Sequence, residues 1–318
     1  MKKRVLSMFM ALALCLTLLP APAWAAEADA PEGGTIVQEE QQEKAPAAES
    51  SAILEQAAEN GIAAQNGGGS TVENAVAEVT IGDTTTQYAT LTEAITAAQN
   101  SKGSTVKLRA NCITPDTSKR FDISGNYTLD LNSCTLTGQL YLSETSTSLT
   151  VKDSGTGGKI QATAGWSPLW VDGGTVTIES GTLATEKENV QALVFGDKDA
   201  CKTLTITGGS FKTGYVYIGY DSGETVISGG AFHELRVNGD SKRVTLSGGT
   251  FDTVTRRKSG STIAPTDLLA DGYAFVDRDT GAEVSTLQEA ALTNVKVTTC
   301  LANQPSKRVC VQAEEVSR

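Results

Sequence analysis

Leu149–Gly155 reads LTVKDSG, Val176–Leu183 VTIESGTL, Leu204–Phe211 LTITGGSF, Thr225–Phe232 TVISGGAF and Val244–Phe251 VTLSGGTF. In four of these five copies two apolar residues flank a threonine and a glycine-containing turn follows; the copy at Thr225 is imperfect. Period-two alternation sends the flanking residues to one face of a strand and Thr150, Thr177, Thr205, Val226 and Thr245 to the other. Glycine then allows the tight corner.

A second motif precedes each copy of the first: LYL at Leu140, LWV at Leu169, LVFG at Leu193, VYIG at Val216 and LRVNG at Leu235. The two motifs stay in phase through five units of roughly 19 to 29 residues, which suits coils with fixed strands and variable loops. A propeller blade needs a longer repeat, of roughly 40 residues with four strands. No such unit can bury its apolar face alone. Stacked in parallel at about 4.8 Å, neighbouring units share that face. The expected fold is therefore all-β: a right-handed parallel β-helix, a solenoid whose hand follows from the general preference of parallel crossovers. Open ends would expose unpaired strands, so caps are expected. Tyr88–Gln99, YATLTEAITAAQ, reads as a short amphipathic capping helix with Thr90 and Glu93 at capping-box spacing and Leu91, Ala94, Ile95 and Ala98 on one face. At the other end Thr266–Val284 combines a helical turn with a hairpin-like cap, followed by NVKVTTC and RVCVQ as final strands.

YATLTEAITAA followed by STVKL, then LDLNSCTLTG, LTVKDSG with GGKI, the GGTF-like turns and LLADGYAF together resemble secreted pectin-lyase-like β-helix proteins of Gram-positive, often gut-dwelling, bacteria. The resemblance spans residues 79–290. It implies the architecture and leaves the activity open, since that fold hosts lyases, hydrolases and adhesins.

Upstream, Lys2, Lys3 and Arg4 precede an apolar run from Val5 to Leu19 and a small-residue site at Ala23–Ala25, so residues 1–25 read as a signal peptide and the protein as secreted or held at the cell surface. Residues 26–78 are rich in Ala, Glu, Gln and Gly, too poor in large apolar side chains to offset ordering, and are expected to form a disordered acidic linker. Residues 79–318 form the expected β-helix domain with its caps. Without the three basic leader residues the chain carries 23 Lys and Arg against 37 Asp and Glu. That balance argues against nucleic acid or an anionic membrane as partner. No later apolar stretch reaches the length of about 20 residues that a membrane span requires.

Five cysteines follow the leader. Cys300 and Cys310 flank a hairpin loop and could pair, Cys112 and Cys134 lie about one coil apart and could be stacked neighbours, and buried small apolar roles are the preferred reading for most of the five, Cys201 among them. No CxxC spacing supports a zinc or thioredoxin-type site.

Catalytic machinery is not legible, and no catalytic residue, metal ligand or cofactor is assigned. The carboxylates Asp153, Asp172, Asp197, Asp199 and Asp221 fall in turns, where local hydrogen bonding and solvation account for them. His233 is the single histidine and follows a glycine turn, a position read as an exposed loop. It belongs to neither an HExxH nor a GxSxG context. Lys242, Arg243, Arg256, Arg257 and Lys258 form either a small cationic patch or a solvated edge.

The outward position of the second motif offers Tyr141, Trp170, Val194, Tyr217 and Arg236 in successive units. If the strands stack in register these make one ladder suited to sugar rings, with Trp166, Tyr215 and Tyr220 close by. Side-chain stacking between coils, or a covering loop, is the alternative, and Arg236 is placed to make a cation–π contact with Tyr217. The function expected is a non-catalytic, carbohydrate-binding or adhesive surface protein with glycan partners. The alternative is a lyase or hydrolase acting on an acidic polysaccharide.

Overall fold

The computed structural model describes residues 72–301 and 309–310, apart from 164, 197–199, 221, 239–242, 259–260, 263–264 and 285–290. All lie within the unit Gln65–Arg318, a parallel β-solenoid of about six turns. Its first sheet runs from Ser104–Leu108 through Asn126–Asp130, Ser148–Lys152, Gly174–Ile178, Cys201–Ile206 and Glu224–Ile227 to Val244–Leu246, every neighbouring pair parallel. The register follows the sequence alternation. Leu149, Val176, Leu204, Thr225 and Val244 align on the inward side, and Thr150, Thr177, Thr205, Val226 and Thr245 form the outward row, which Thr128 and Thr105 continue.

The imperfect repeat thus places a threonine in the apolar ladder. Thr225 is fully buried, and its hydroxyl has no hydrogen-bond partner among the described residues. A buried hydroxyl left without a partner costs on the order of 1–3 kcal/mol. Thr225→Val is therefore expected to stabilise the fold by about 1 kcal/mol, read as a raised urea midpoint at unchanged slope; a lowered midpoint would refute it.

The second sheet forks. Short strands such as Thr135–Thr137, Lys159–Gln161 and Thr182–Ala184 form one branch; Arg120–Ile123, Gln139–Leu142, Leu169–Val171 and Gln191–Phe195 form the other. In later coils a single long strand, Ser210–Ile218, Ala231–Asn238 or Thr250–Lys258, continues through both branches, with its register shifting between Phe211 and Tyr215. Phe211, Phe232 and Phe251 align within this sheet, fully buried. Their ring centroids are 4.8 Å apart and nearly parallel, and Phe275 closes the stack edge-on at 6.4 Å.

Both caps reverse the strand direction. At the N-terminal side Ala77–Ile81 pairs antiparallel with Ser104–Leu108 and with Thr84–Tyr88. The helix Leu91–Gln99 packs there with Leu91, Ala94, Ile95 and Ala98 buried, and the Thr90–Glu93 capping box is closed in both directions. At the C-terminal side Ala291–Leu301 pairs antiparallel with Thr250–Lys258 and with Tyr273–Asp277, the hairpin-like cap anticipated from the sequence. No helix among the described residues is long and apolar enough to cross a membrane.

Candidate functional site

The outward positions of the second motif fall into one row. Tyr141 is opposite Trp170, Trp170 opposite Val194, Val194 opposite Tyr217 and Tyr217 opposite Arg236; the row begins one coil earlier at Asp122 and ends at Thr255. The strands that hold it are fixed from behind by Leu140, Leu169, Leu193, Val216 and Leu235, all fully buried. Tyr141, Trp170 and Tyr217 are half-buried.

What covers these rings is protein. The Arg120 guanidinium lies over Tyr141 at 4.6 Å and over Trp170 at 4.5 Å from the ring centroids. The phenol of Tyr141 donates to Asp172 Oδ2 at 3.0 Å and the indole Nε1 of Trp170 donates to Asp172 Oδ1 at 2.9 Å. One carboxylate thus sets the orientation of two rings, and one cation lies against both faces. Asp172 is buried, at 8% exposure, which corrects its reading as a solvated turn residue. Its packing leaves no room for a side chain at Gly196, whose Cβ would collide with Oδ1.

Farther along, the guanidinium of Arg236 is over Tyr215, at 3.7 Å, and not over Tyr217 as the sequence suggested. Tyr215 stands opposite Glu234 in the preceding position of the same strands, and Arg236 pairs with that carboxylate through two hydrogen bonds of 2.7 Å. The Glu234 hydrogen bond raises the Arg236 pKa against its partial burial. Tyr217 accepts from Asn238 Nδ2 at 3.2 Å. Trp166 is half-buried, Tyr215 is buried, and Tyr220 stands exposed.

Arg120 and Asp172 are the two participants that the sequence reading missed. A signal for each was present. Phe121–Asp122–Ile123 repeats the apolar–x–apolar pattern of Leu140–Leu142, but with Asp122 where the later copies begin their aromatics. Asp172 follows Trp170 by two residues, the spacing that returns a side chain to the same face of a strand.

His233 lies in the strand Ala231–Asn238, half-buried, and not in an exposed loop; its Nδ1 is 3.6 Å from Asp252 Oδ2. Asp252 also takes Lys212 Nζ at 2.6 Å and Arg278 Nη2 at 2.8 Å on one oxygen. Desolvation pushes the Asp252 pKa up, but hydrogen bonds from Lys212 and Arg278, with their charges, outweigh it and hold the carboxyl below its usual range. This cluster ties the last coils to the C-terminal cap. The late basic residues do not form one patch: Arg256 is buried and bonded to Asp267 Oδ2 at 3.1 Å, and Arg243 donates to the Ser222 carbonyl. The side chains of Lys242 and Lys258 lie outside the described residues, as do Asp197, Asp199 and Asp221.

Asp153 behaves as a turn residue, accepting from the backbone amides of Ser133, Gly155 and Gly158. Cys112 and Cys134 are free thiols on adjacent coils, and burial, with Cys134 nearby, pushes Cys112 up to about 12. Cys201 is buried, and the backbone register sets Cys300 opposite Cys310. No three His, Cys, Asp or Glu side chains among the described residues converge as a metal site. Comparisons with family models, with curated proteins and with solved structures return no match to this chain.

Proposed function

We propose that this chain is a non-catalytic, secreted or cell-surface binding protein of the pectin-lyase-like β-helix kind, which engages glycans through the ladder of Tyr141, Trp170, Tyr217 and Arg236. The observation that carries this reading is the register. Three large aromatic side chains from separate coils share one row on a rigid sheet, with their polar atoms tied to Asp172 and Asn238. Rigid aromatics arranged in a line offer contact area at little conformational cost, and a surface row of them is otherwise an unprofitable use of large apolar groups. Val194, small and buried in the same row, divides the ladder into a Tyr141–Trp170 end and a Tyr217 end.

A broad glycan array tests the reading. Trp170→Ala and Tyr217→Ala are each expected to weaken binding about tenfold or more, equivalent to at least about 1.4 kcal/mol, while the circular dichroism of the fold stays unchanged. Absence of binding by the parent protein to any host or plant polysaccharide would dismiss the glycan assignment.

A further inference from the structure

We infer that Arg120 is an oxyanion site at the Tyr141–Trp170 end of the ladder, and that the ligand of this surface carries a carboxylate or a sulfate there. The inference rests on the ladder being a ligand surface and names the chemistry that surface takes. Arg120 is half-buried in the strand Arg120–Ile123, its guanidinium lies against two aromatic rings, and among the described residues it makes neither a hydrogen bond nor an ion pair. Stacking on aromatic faces holds the plane of a guanidinium while leaving its edge N–H groups able to donate. A half-buried guanidinium whose donors find no acceptor among the described residues is left to water, and an oxyanion that presents two oxygens replaces that water through paired N–H···O bonds.

The charged neighbours do not supply that partner. Lys119, the preceding residue, is paired with Asp116 at 2.9 Å. Asp122, two residues on and exposed, is not in ion-pair contact with Arg120, and neither is Asp172, whose oxygens accept from Tyr141 and Trp170. The contrast with the other end of the row is informative. Arg236 is also stacked on a tyrosine, but Glu234 already takes its guanidinium edge in a bidentate pair, so that arginine is neutralised within the protein. The same construction with its anion missing occurs at Arg120. Because Arg120 occupies ring faces of Tyr141 and Trp170, a neutral sugar has less aromatic face to stack on at this end, and a charged substituent gains the donors instead.

The test follows the indole N–H resonance of Trp170 in the full chain, assigned by its disappearance in Trp170→Phe. The protein is titrated with galacturonate, galactose 6-sulfate and galactose. Saturable shifts with one or both charged sugars, absent with galactose, are expected. Arg120→Gln should weaken that response at least tenfold, and Arg120→Lys, which keeps the charge but not the planar fork, should weaken it less. The galacturonate and galactose 6-sulfate arms distinguish a carboxylate from a sulfate ligand. An equal response to galactose, a response that survives in Arg120→Gln, or no response to either charged sugar overturns the oxyanion site. The array decides the glycan reading independently: neutral glycans bound there with no effect of Arg120→Gln would leave that reading standing and this one refuted.

Discussion

Replacing Phe232 by alanine is expected to lower the stability of the solenoid by about 3–5 kcal/mol, the range for emptying a buried aromatic site. Phe232 is the middle ring of three, with a near-parallel neighbour 4.8 Å away on each side. Phe211 and Phe251 cannot close the gap, since each is held opposite Phe232 by its own strand in the parallel ladder. The site therefore loses its transfer free energy, keeps most of the cavity, and forfeits two ring–ring contacts worth about 0.5–1.5 kcal/mol each beyond area. Urea unfolding followed by circular dichroism reads the loss. Because a stack of coils transmits stability from neighbour to neighbour, the change should include a broader transition in which the C-terminal coils separate from the rest. An unfolding free energy within about 1 kcal/mol of the parent would show that the coils slide together to fill the void, contrary to the fixed alignment of the rings.

Gly229→Ala should be a damaging single-methyl change in the repeat. A Cβ at Gly229 would run into the Thr207 carbonyl of the coil before, and Gly230 follows at φ 99° to complete the corner. The same pairing of close approach and left-handed backbone recurs at Gly208–Gly209 and Gly248–Gly249. Backbone hydrogen bonds on either side, Ser228 N–H to the Ile206 carbonyl at 2.9 Å and Ala231 N–H to the Gly209 carbonyl at 3.0 Å, hold the coil spacing. Relief of the collision therefore means parting two coils, and a cost of about 1–3 kcal/mol is expected from overpacking against backbone. For a domain of this size that corresponds to a fall in melting temperature of roughly 2–4 °C per kcal/mol. An unchanged melting temperature would mean that the corner is looser than its geometry indicates.

The GG pairs also explain why the architecture was so legible. Each repeat carries its own inward residues, its outward residue and its corner, so the sequence encodes register coil by coil, and the Thr row and the aromatic row both appear where alternation puts them. The capping helix was equally readable, because its cap and its buried face are local properties. The site was legible only as a row of positions. Arg120 reaches its rings across coils, and Asp172 becomes buried only because Gly196 of the next coil leaves room for it. Such contacts depend on which loops bring neighbouring coils together, and alternation within a strand carries no information about that. The loop expected at His233 is absent for a related reason: in the late coils the strand starts at once after the glycine corner and runs through both branches of the sheet.

The reversal of direction at the two caps has a consequence beyond covering apolar side chains. A stack of like, parallel, in-register units is a template onto which another molecule's terminal unit could add indefinitely. Here Ala77–Ile81 takes up the free side of Ser104–Leu108 and Ala291–Leu301 that of Thr250–Lys258, each in the opposite direction and each with a further hairpin partner, Thr84–Tyr88 or Tyr273–Asp277. Among the described residues the parallel strands with a strand partner on one side only are Cys112–Ile113, Arg120–Ile123 and Val244–Leu246, none longer than four residues. Two of the terminal coil strands thus find their last hydrogen-bond partner within the same chain, and neither is open to another molecule's coil.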